Sequence, residues 1–263
     1  MGNKAVSVAL SVLWAASAAA EPPMRDVAFT AAVDKTEQRY VLILPEAFAP
    51  EETYDVLIAL HGHGADRWQF AKDPRDECRA ARDVATERKM IYVSPDYRAK
   101  TSWMGPKAEA DVVQIIADLK RDYRVDKVYL CGGSMGGTSA LAFTVRHPEL
   151  IDGVAAMNGT ANLVEYEGFQ DAIAESYGGT KDTAPDEYKN RSAELFPERL
   201  SMPVGITAGG KDDIVPSASV VRLAKALEKL NRPVKLVYRE EGGHETNYAD
   251  ARTILEYVIT TKK

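Results

Sequence analysis

The sequence lacks several features that would assign it to a specialised class of protein. Its 263 residues include only 2 cysteines, too few for a small fold held together by disulfides. Basic residues are not in excess, because 33 Lys and Arg stand against 39 Asp and Glu, which gives a net charge of −6. Such a balance does not favour binding to a polyanion, so we expect no nucleic acid partner. The sequence also shows no repeat of about 20–50 residues, which argues against solenoids and propellers.

An uncharged stretch of the sequence lies near the N-terminus. Lys4 precedes it, residues 5–20 carry no charge, and it ends in Ala18-Ala19-Ala20. A positively charged start, a short apolar stretch and an Ala-x-Ala end are typical of a cleavable secretory signal peptide. The stretch is shorter than the roughly 20 apolar residues that a membrane-spanning helix needs. We therefore expect residues 1–20 to be a signal peptide and the mature chain, 21–263, to be secreted or periplasmic, with no membrane span.

Apolar strands alternate with amphipathic helices along the rest of the chain. Continuous apolar runs predict buried strands at 56–60, 90–93, 128–131, 153–157, 204–208 and 234–238, and the alternating patterns at 27–33 and 39–44 predict a hairpin. Helices are predicted over 67–88, 109–123, from the glycines near 135 to 147, 220–230 and 248–261.

This alternation predicts an α/β fold with a mostly parallel central sheet of about eight strands and helices on both faces. Residues 158–200 lack a clear period, and we expect them to form a short cap inserted over the sheet within one catalytic domain. Cys78 falls in a predicted helix and Cys131 ends a predicted strand, so we expect two buried, unpaired thiols.

The segment Gly132-Gly133-Ser134-Met135-Gly136 has the pattern G-x-S-x-G between a predicted strand and a predicted helix. This is the context of a nucleophile elbow, where flanking glycines allow a sharp turn that exposes the serine hydroxyl. Glycine-rich turns also bind phosphates, but the sequence has neither the P-loop pattern nor the dinucleotide pattern. Ser134 is therefore predicted to be a catalytic nucleophile.

A serine nucleophile needs a base and an orienting acid. Of the 4 histidines, His244 follows the last predicted strand, and it comes after the serine, as in the chain order Ser, acid, His of folds with such an elbow. We expect His147, at a helix end, to be structural. The acid is predicted after the strand at 204–208, where Asp212 and Asp213 are adjacent and the residues alone leave the choice open.

An oxyanion hole requires two backbone N–H donors beside the nucleophile. We predict Met135, which follows the serine, and His63 in the loop His61-Gly62-His63-Gly64, whose glycines permit inward-facing amides. The pair His61 and His63 also has the spacing of metal ligands, but no third ligand completes a set, so we expect no metal and no cofactor.

With these segments placed, the chain resembles α/β-hydrolase-fold serine hydrolases over essentially all of 24–263. The stretch 40–62 and the run 123–129 are similar to secreted feruloyl and acetylxylan esterases and polyhydroxybutyrate depolymerases. From Asp212 to Pro216 and at Gly242-Gly243-His244 the chain also resembles prolyl-oligopeptidase catalytic domains. In those families the acid precedes the Val of a Val-Pro pair by three residues, which implies Asp212.

The resemblance implies a serine esterase that acts on a small-molecule or polysaccharide-linked carboxylic ester through an acyl-enzyme. A peptidase of the prolyl-oligopeptidase type is the alternative, although the chain has no N-terminal propeller. A non-catalytic binding protein of this fold is a weaker alternative, because such proteins typically lose a triad residue. Aromatic residues on strand-end loops, Trp68 and Trp103 among them, are predicted to wall the acyl group, although for each one packing is the simpler interpretation.

Overall fold

Eight strands form one sheet in the computed structural model, which describes residues 24–261. The predicted signal peptide lies outside the described residues. The strands are β1 (Met24–Thr30), β2 (Glu37–Ile43), β3 (Tyr54–Leu60), β4 (Ile91–Pro95), β5 (Val125–Gly133), β6 (Gly153–Met157), β7 (Val204–Gly209) and β8 (Val234–Arg239). Their order across the sheet is β1-β2-β4-β3-β5-β6-β7-β8. The first two pairings are antiparallel and the others parallel, so the predicted α/β fold with a mostly parallel eight-stranded sheet is confirmed.

Helices cover both faces of this sheet. They are α1 (Trp68–Lys72), α2 (Asp76–Glu87), α3 (Pro106–Asp122), α4 (Met135–Arg146), α5 (Gln170–Tyr177), α6 (Pro185–Asn190), α7 (Ala218–Lys229) and α8 (Tyr248–Thr260). Successive strand side chains point to opposite faces, so Ile58 belongs to the apolar cluster that includes residues of α3, α4 and α7, while Leu57 belongs to the cluster that includes residues of α1, α2 and α8. The central strands β3, β4, β6 and β7 are thus buried on both faces over most of their length, which explains their apolar sequences.

The single helix predicted over 67–88 is wrong, because two helices occupy this stretch. Asp73 is extended, with φ of −61° and ψ of +132°, and Pro74 follows it. Proline has no N–H to donate and disfavours the helical conformation in the residue before it, so the chain leaves α1 there and starts α2 at Asp76. The break turns residues 73–77 toward the edge of the sheet where the strands end.

The chain between β6 and β7 contains α5, α6 and two short 3₁₀ helices (Ala193–Leu195 and Pro197–Arg199). It packs on α3, α4 and α7 through buried side chains, which include Ile173, Tyr177 and Tyr188. This segment, predicted as a cap, therefore lies against the α3–α4–α7 face and reaches the ends of the strands.

Both cysteines are buried free thiols, in agreement with the prediction from their positions. They belong to the apolar cluster between the sheet and helices α2 and α8, and burial raises the pKa of Cys78 to about 12. Between residues 24 and 261 no helix has the length and apolar character needed to cross a membrane.

Candidate active site

Ser134 lies at the sharp turn between β5 and α4. Its backbone has φ of +57° and ψ of −121°, a conformation that an L-residue rarely adopts. The Ser134 N–H donates to the Met157 carbonyl at 2.8 Å, which ties the turn to the end of the neighbouring strand β6. Local strain of this kind costs about 1–3 kcal/mol and occurs mainly at functional sites, where the surrounding structure maintains it.

Close backbone contacts explain the two outer glycines of the motif. A Cβ on Gly136 would lie 2.1 Å from the Leu60 carbonyl oxygen, and a Cβ on Gly132 would lie 2.5 Å from the Gly136 backbone. The start of α4 therefore passes directly over the end of β3 with no space for side chains. This close approach lifts the Ser134 hydroxyl above the carboxyl edge of the sheet.

His244 follows β8 and lies between Ser134 and Asp212. Its Nε2 is 2.8 Å from Ser134 Oγ and its Nδ1 is 2.8 Å from Asp212 Oδ2. The structure thus brings together three side chains that the sequence separates widely. In this order of hydrogen bonds the imidazole can accept the serine proton while the carboxylate stabilises the resulting imidazolium.

Asp212, and not Asp213, is the carboxylate that contacts the histidine. Asp212 is 7% exposed, and its Oδ1 accepts hydrogen bonds from the Ile214 N–H at 3.0 Å and the Val215 N–H at 2.8 Å. These two amides fix one carboxylate oxygen and leave Oδ2 directed at His244. Asp213 is exposed to solvent. The geometry thus agrees with the choice that the resemblance implied.

A buried polar network holds the loop that carries His244. Asn158, at the end of β6, donates from Nδ2 to the Gly243 carbonyl at 3.1 Å. Its Oδ1 accepts from the Thr207 hydroxyl at 3.0 Å and the Thr246 hydroxyl at 2.8 Å. These residues could not be identified from the sequence by any motif. The one signal in the sequence is that Asn158, a polar residue, directly follows the buried strand β6.

The two amides predicted for the oxyanion hole are free in the part of the chain that the structure describes. Neither the His63 N–H nor the Met135 N–H donates to another group among residues 24–261. Met135 is the first residue of α4, where backbone N–H groups and the helix dipole favour a negative charge. His63 lines the same cavity as Ser134.

A cavity of about 690 Å³ opens beside Ser134. Its wall includes the apolar side chains of Phe70, Phe169, Ile214 and Val237 and the charged side chains of Arg75, Glu77, Arg239 and Asp250. Arg239 forms two hydrogen bonds to Asp250, at 2.8 and 2.6 Å, so these two charges compensate each other. Burial raises the pKa of Glu77. The cavity is large enough for a small organic substrate.

Trp68 and Trp103, predicted to wall the acyl group, are not among the residues that line this cavity. The Trp68 ring lies under the Lys72 ammonium, 4.0 Å from its centroid, and packs toward the α2 and α8 face. Trp103 is fully buried behind His63, and its Nε1–H donates to His63 Nδ1 at 3.2 Å. Of the aromatic residues on the segment between β6 and β7, Phe169 lines the cavity; its ring lies 4.4 Å from that of His63 and it is 38% exposed.

Trp103 also fixes the state of the His63 ring. An indole N–H only donates, so His63 Nδ1 must be the acceptor and the remaining proton lies on Nε2. Burial lowers the pKa of His63, which favours the same neutral form. The side chain of His63 therefore presents an uncharged ring to the cavity.

Comparison with known proteins gives a match to one protein family and solved structures with a similar fold. A model of the prolyl oligopeptidase family matches residues 82–260. The chain is similar to a ferulic acid esterase from Anaeromyces mucronatus, with 18% identity and a TM-score of 0.66, over 94% of this chain and 93% of that one. It is also similar to a fluorophosphonate-binding serine hydrolase of Staphylococcus aureus, with 16% identity and a TM-score of 0.70, over 91% of this chain and 99% of that one.

A dipeptidyl peptidase 4 from Porphyromonas gingivalis has a TM-score of 0.67 and 16% identity. The match includes 90% of this chain but only 36% of that protein. A search among curated proteins gave no match. The predicted α/β-hydrolase fold is confirmed by these structures.

Proposed function

The chain belongs to the prolyl oligopeptidase family of serine hydrolases. We propose that it hydrolyses carboxylic esters and that Ser134, His244 and Asp212 form its catalytic triad. The observation that carries the proposal is the continuous chain of hydrogen bonds from Ser134 Oγ through His244 to Asp212, at the mouth of a cavity. A serine hydroxyl is a weak nucleophile unless a base is in hydrogen-bond contact with it, and this arrangement supplies the base.

In the proposed reaction Ser134 Oγ attacks the ester carbonyl carbon and its proton passes to His244 Nε2. The carbonyl oxygen becomes an oxyanion that accepts hydrogen bonds from the Met135 and His63 amides. The imidazolium then protonates the leaving alcohol, which departs and leaves an acyl-serine. A water molecule gives a proton to His244 and attacks this ester, and the return of the proton to Ser134 releases the acid.

Two observations favour esters over peptides. The ferulic acid esterase matches this chain over nearly the full length of both proteins, whereas the chain corresponds to about a third of the dipeptidyl peptidase. The cavity also opens to solvent beside exposed Phe169 and Ile214, which offer an apolar surface to the acyl group of an ester. The family match itself favours the alternative, a serine peptidase, which the substrate panel below tests.

The proposed substrate is a small-molecule or polysaccharide-linked ester. Phe169 and Ile214 offer an apolar surface for an acyl group, and the charged residues of the wall suit a hydroxylated group. The proposed site of action is outside the cytoplasm, supported by the signal-like pattern of residues 1–20.

A fluorophosphonate probe tests the nucleophile directly. The wild type is expected to be labelled and to hydrolyse p-nitrophenyl acetate much faster than alanine p-nitroanilide. Ser134→Ala is expected to lose labelling and to lower kcat by about 10⁴-fold or more, because no nucleophile remains. Ser201→Ala, which removes an exposed hydroxyl, is the matched control and should behave as the wild type.

Either of two results would contradict the proposal. Labelling that persists in Ser134→Ala would place the nucleophile elsewhere. Faster turnover of the amide than of every ester in a panel of acetyl, feruloyl and hydroxyalkanoate esters would favour the peptidase alternative.

A further inference from the structure

Gly62 is held by hydrogen bonds at both of its polar backbone groups, immediately beside the nucleophile. Its N–H donates to Gln69 Oε1 at 2.7 Å. Its carbonyl oxygen accepts from the Ala65 N–H at 3.2 Å and lies 2.9 Å from His61 Nδ1. The position of a Cβ on Gly62 would be 3.8 Å from the Ser134 Cβ, so this peptide borders the reacting hydroxyl.

These contacts fix the direction of the His63 N–H. In a planar trans peptide the C=O and the N–H point in opposite directions. Because the Gly62 carbonyl points at Ala65 and the fully buried His61, the His63 N–H of the same peptide faces the other way. It remains without an acceptor among residues 24–261, in the wall of the cavity.

The glycines make the loop that carries His63 intrinsically flexible. Gly62 and Gly64 are freer to rotate than other residues, and Gly64 has φ of +81°. A contact from outside the loop therefore supports the contacts of the Gly62 carbonyl in holding one orientation of the Gly62 backbone. Gln69 in α1 provides the side-chain contact to the Gly62 N–H.

Helix α1 is anchored well enough to serve as this support. The Phe70 carbonyl accepts from the Arg82 guanidinium at 2.9 Å and from the Tyr92 hydroxyl at 3.0 Å. Arg82 also donates to the Asp73 carbonyl at 2.9 Å. The Gln69 N–H donates to the Asp66 carbonyl at 3.0 Å. A side chain on a short helix held in this way keeps its geometry.

We propose that Gln69 is a positioning residue of the oxyanion hole, which acts through Gly62 to direct the His63 N–H at the developing oxyanion. The inference rests on the proposed function, because it assigns a task to the His63 amide in that reaction. Gln69 carries out this task with Oε1, which faces the loop backbone, and takes no part in bond making. Without it the Gly62 N–H is unpaired, and only the contacts of the Gly62 carbonyl remain to direct the His63 N–H.

Gln69→Met tests this assignment, since methionine keeps the length of the side chain and removes the acceptor oxygen. We expect kcat for p-nitrophenyl acetate to fall about 10–10²-fold with KM unchanged, a part of the roughly 10²–10³-fold cost of a lost oxyanion donor. The inhibition constant of a trifluoromethyl ketone, whose serine adduct carries an oxyanion, should rise by the same factor. Gln69→Ala is the second variant and should change both quantities in the same direction.

Gln114→Met is the matched control. Gln114 also accepts from a backbone amide through Oε1, that of Ala32 at 2.8 Å, but it lies on α3 outside the residues that line the cavity. Its loss should leave kcat and inhibitor binding as in the wild type. Thermal unfolding of all three variants shows whether any change in rate comes from loss of the fold.

The other outcomes overturn the inference in distinguishable ways. A rise in KM at constant kcat would show that Gln69 contacts the substrate and does not position the loop. Equal loss in the Gln69 and Gln114 variants, or no loss at Gln69, would show that the hydrogen bond is merely structural. If Ser134→Ala were as active as the wild type, the proposed function itself would be wrong and this inference would fail with it.

Discussion

Asp212 and Asp213 show how two identical neighbouring side chains acquire different environments. The turn after β7 directs Asp212 inward, where two backbone amides and His244 surround its carboxylate, and leaves Asp213 in solvent. The residues alone could place the acid within this pair but could not choose between its members. The choice depends on the course of one turn, for which hydrophobic periodicity carries no information.

Asp212→Asn is expected to lower kcat by about 10⁴-fold while the protein remains folded. An amide cannot stabilise the imidazolium, and it can hold His244 in the tautomer that cannot accept the serine proton. Initial rates of ester hydrolysis with the purified variant measure the loss. Asp213→Asn is the matched control and should keep the wild-type rate; a large loss there, or none at position 212, would reverse the assignment.

Other residues of the site were not predictable for a related reason. Gln69 lies 7 positions from the amide that it holds, but Asn158 acts on a carbonyl 85 positions away. Neither forms a motif with its partner, because the fold alone brings them together. Ser134 and His244 could be predicted because strand, turn and chain order already restrict where a nucleophile and its base occur.

At the scale of elements, strands were more predictable than helix boundaries. A continuous apolar run marks a strand buried on both faces, and β3, β5, β6 and β7 follow this rule. The stretch 67–88 has helical periodicity on both sides of Pro74, and this concealed the break. The break matters for the site, because it directs the first turn of α2 into the cavity wall.

The two glycines on either side of Ser134 at the elbow between β5 and α4 are predicted to respond differently to substitution by alanine. Gly136→Ala places a methyl group 2.1 Å from the Leu60 carbonyl oxygen, so β3 or α4 must move. Gly133→Ala meets only Glu77 Cγ and Phe70 Cζ, both at an ordinary contact distance of 3.7 Å. We expect Gly136→Ala to lower the free energy of unfolding by about 1–3 kcal/mol or more.

Urea denaturation followed by circular dichroism measures this difference. Gly133→Ala serves as the matched control for stability and should unfold within about 0.5 kcal/mol of the wild type. Equal stability of the two variants would mean that the contact between α4 and β3 adjusts without cost. That result would contradict the steric origin of the motif.

At the scale of the molecule, one buried cluster of charges connects the segment between β6 and β7 to the main body. Arg191, with a side chain 2% exposed, follows α6, donates to the Met104 carbonyl at 2.7 Å and pairs with Glu109 of α3. Glu109 also accepts from His147 at 2.7 Å and from Arg146 at 3.3 Å. His147 thus has the structural role predicted from its place at a helix end, but the partners could not be predicted.

The cluster makes the stability of the molecule dependent on pH in a definite direction. Burial by itself raises the pKa of Glu109. The hydrogen bond from His147 and the positive charges of Arg191 and Arg146 lower this pKa by more, so that it lies below its ordinary value. A carboxylate whose pKa is lowered by folding stabilises the fold above its unfolded pKa. This stabilisation is lost as the pH falls through the pKa of the folded state.

Arg191→Met is therefore expected to lower the free energy of unfolding by about 3 kcal/mol at neutral pH, because it leaves a buried carboxylate with fewer partners. Arg222→Met, the matched control, removes an arginine that pairs with two glutamates but is 44% exposed, and it should lower the free energy of unfolding by about 1 kcal/mol or less. At about pH 4 Glu109 becomes protonated more readily in the Arg191 variant than in the wild type. The difference in the free energy of unfolding between the two proteins should therefore be smaller than at neutral pH. Urea denaturation at both pH values tests this. Equal losses for the two arginines, or a gap that widens in acid, would show that the exposed ion pairs, and not the buried cluster, attach this segment to the sheet.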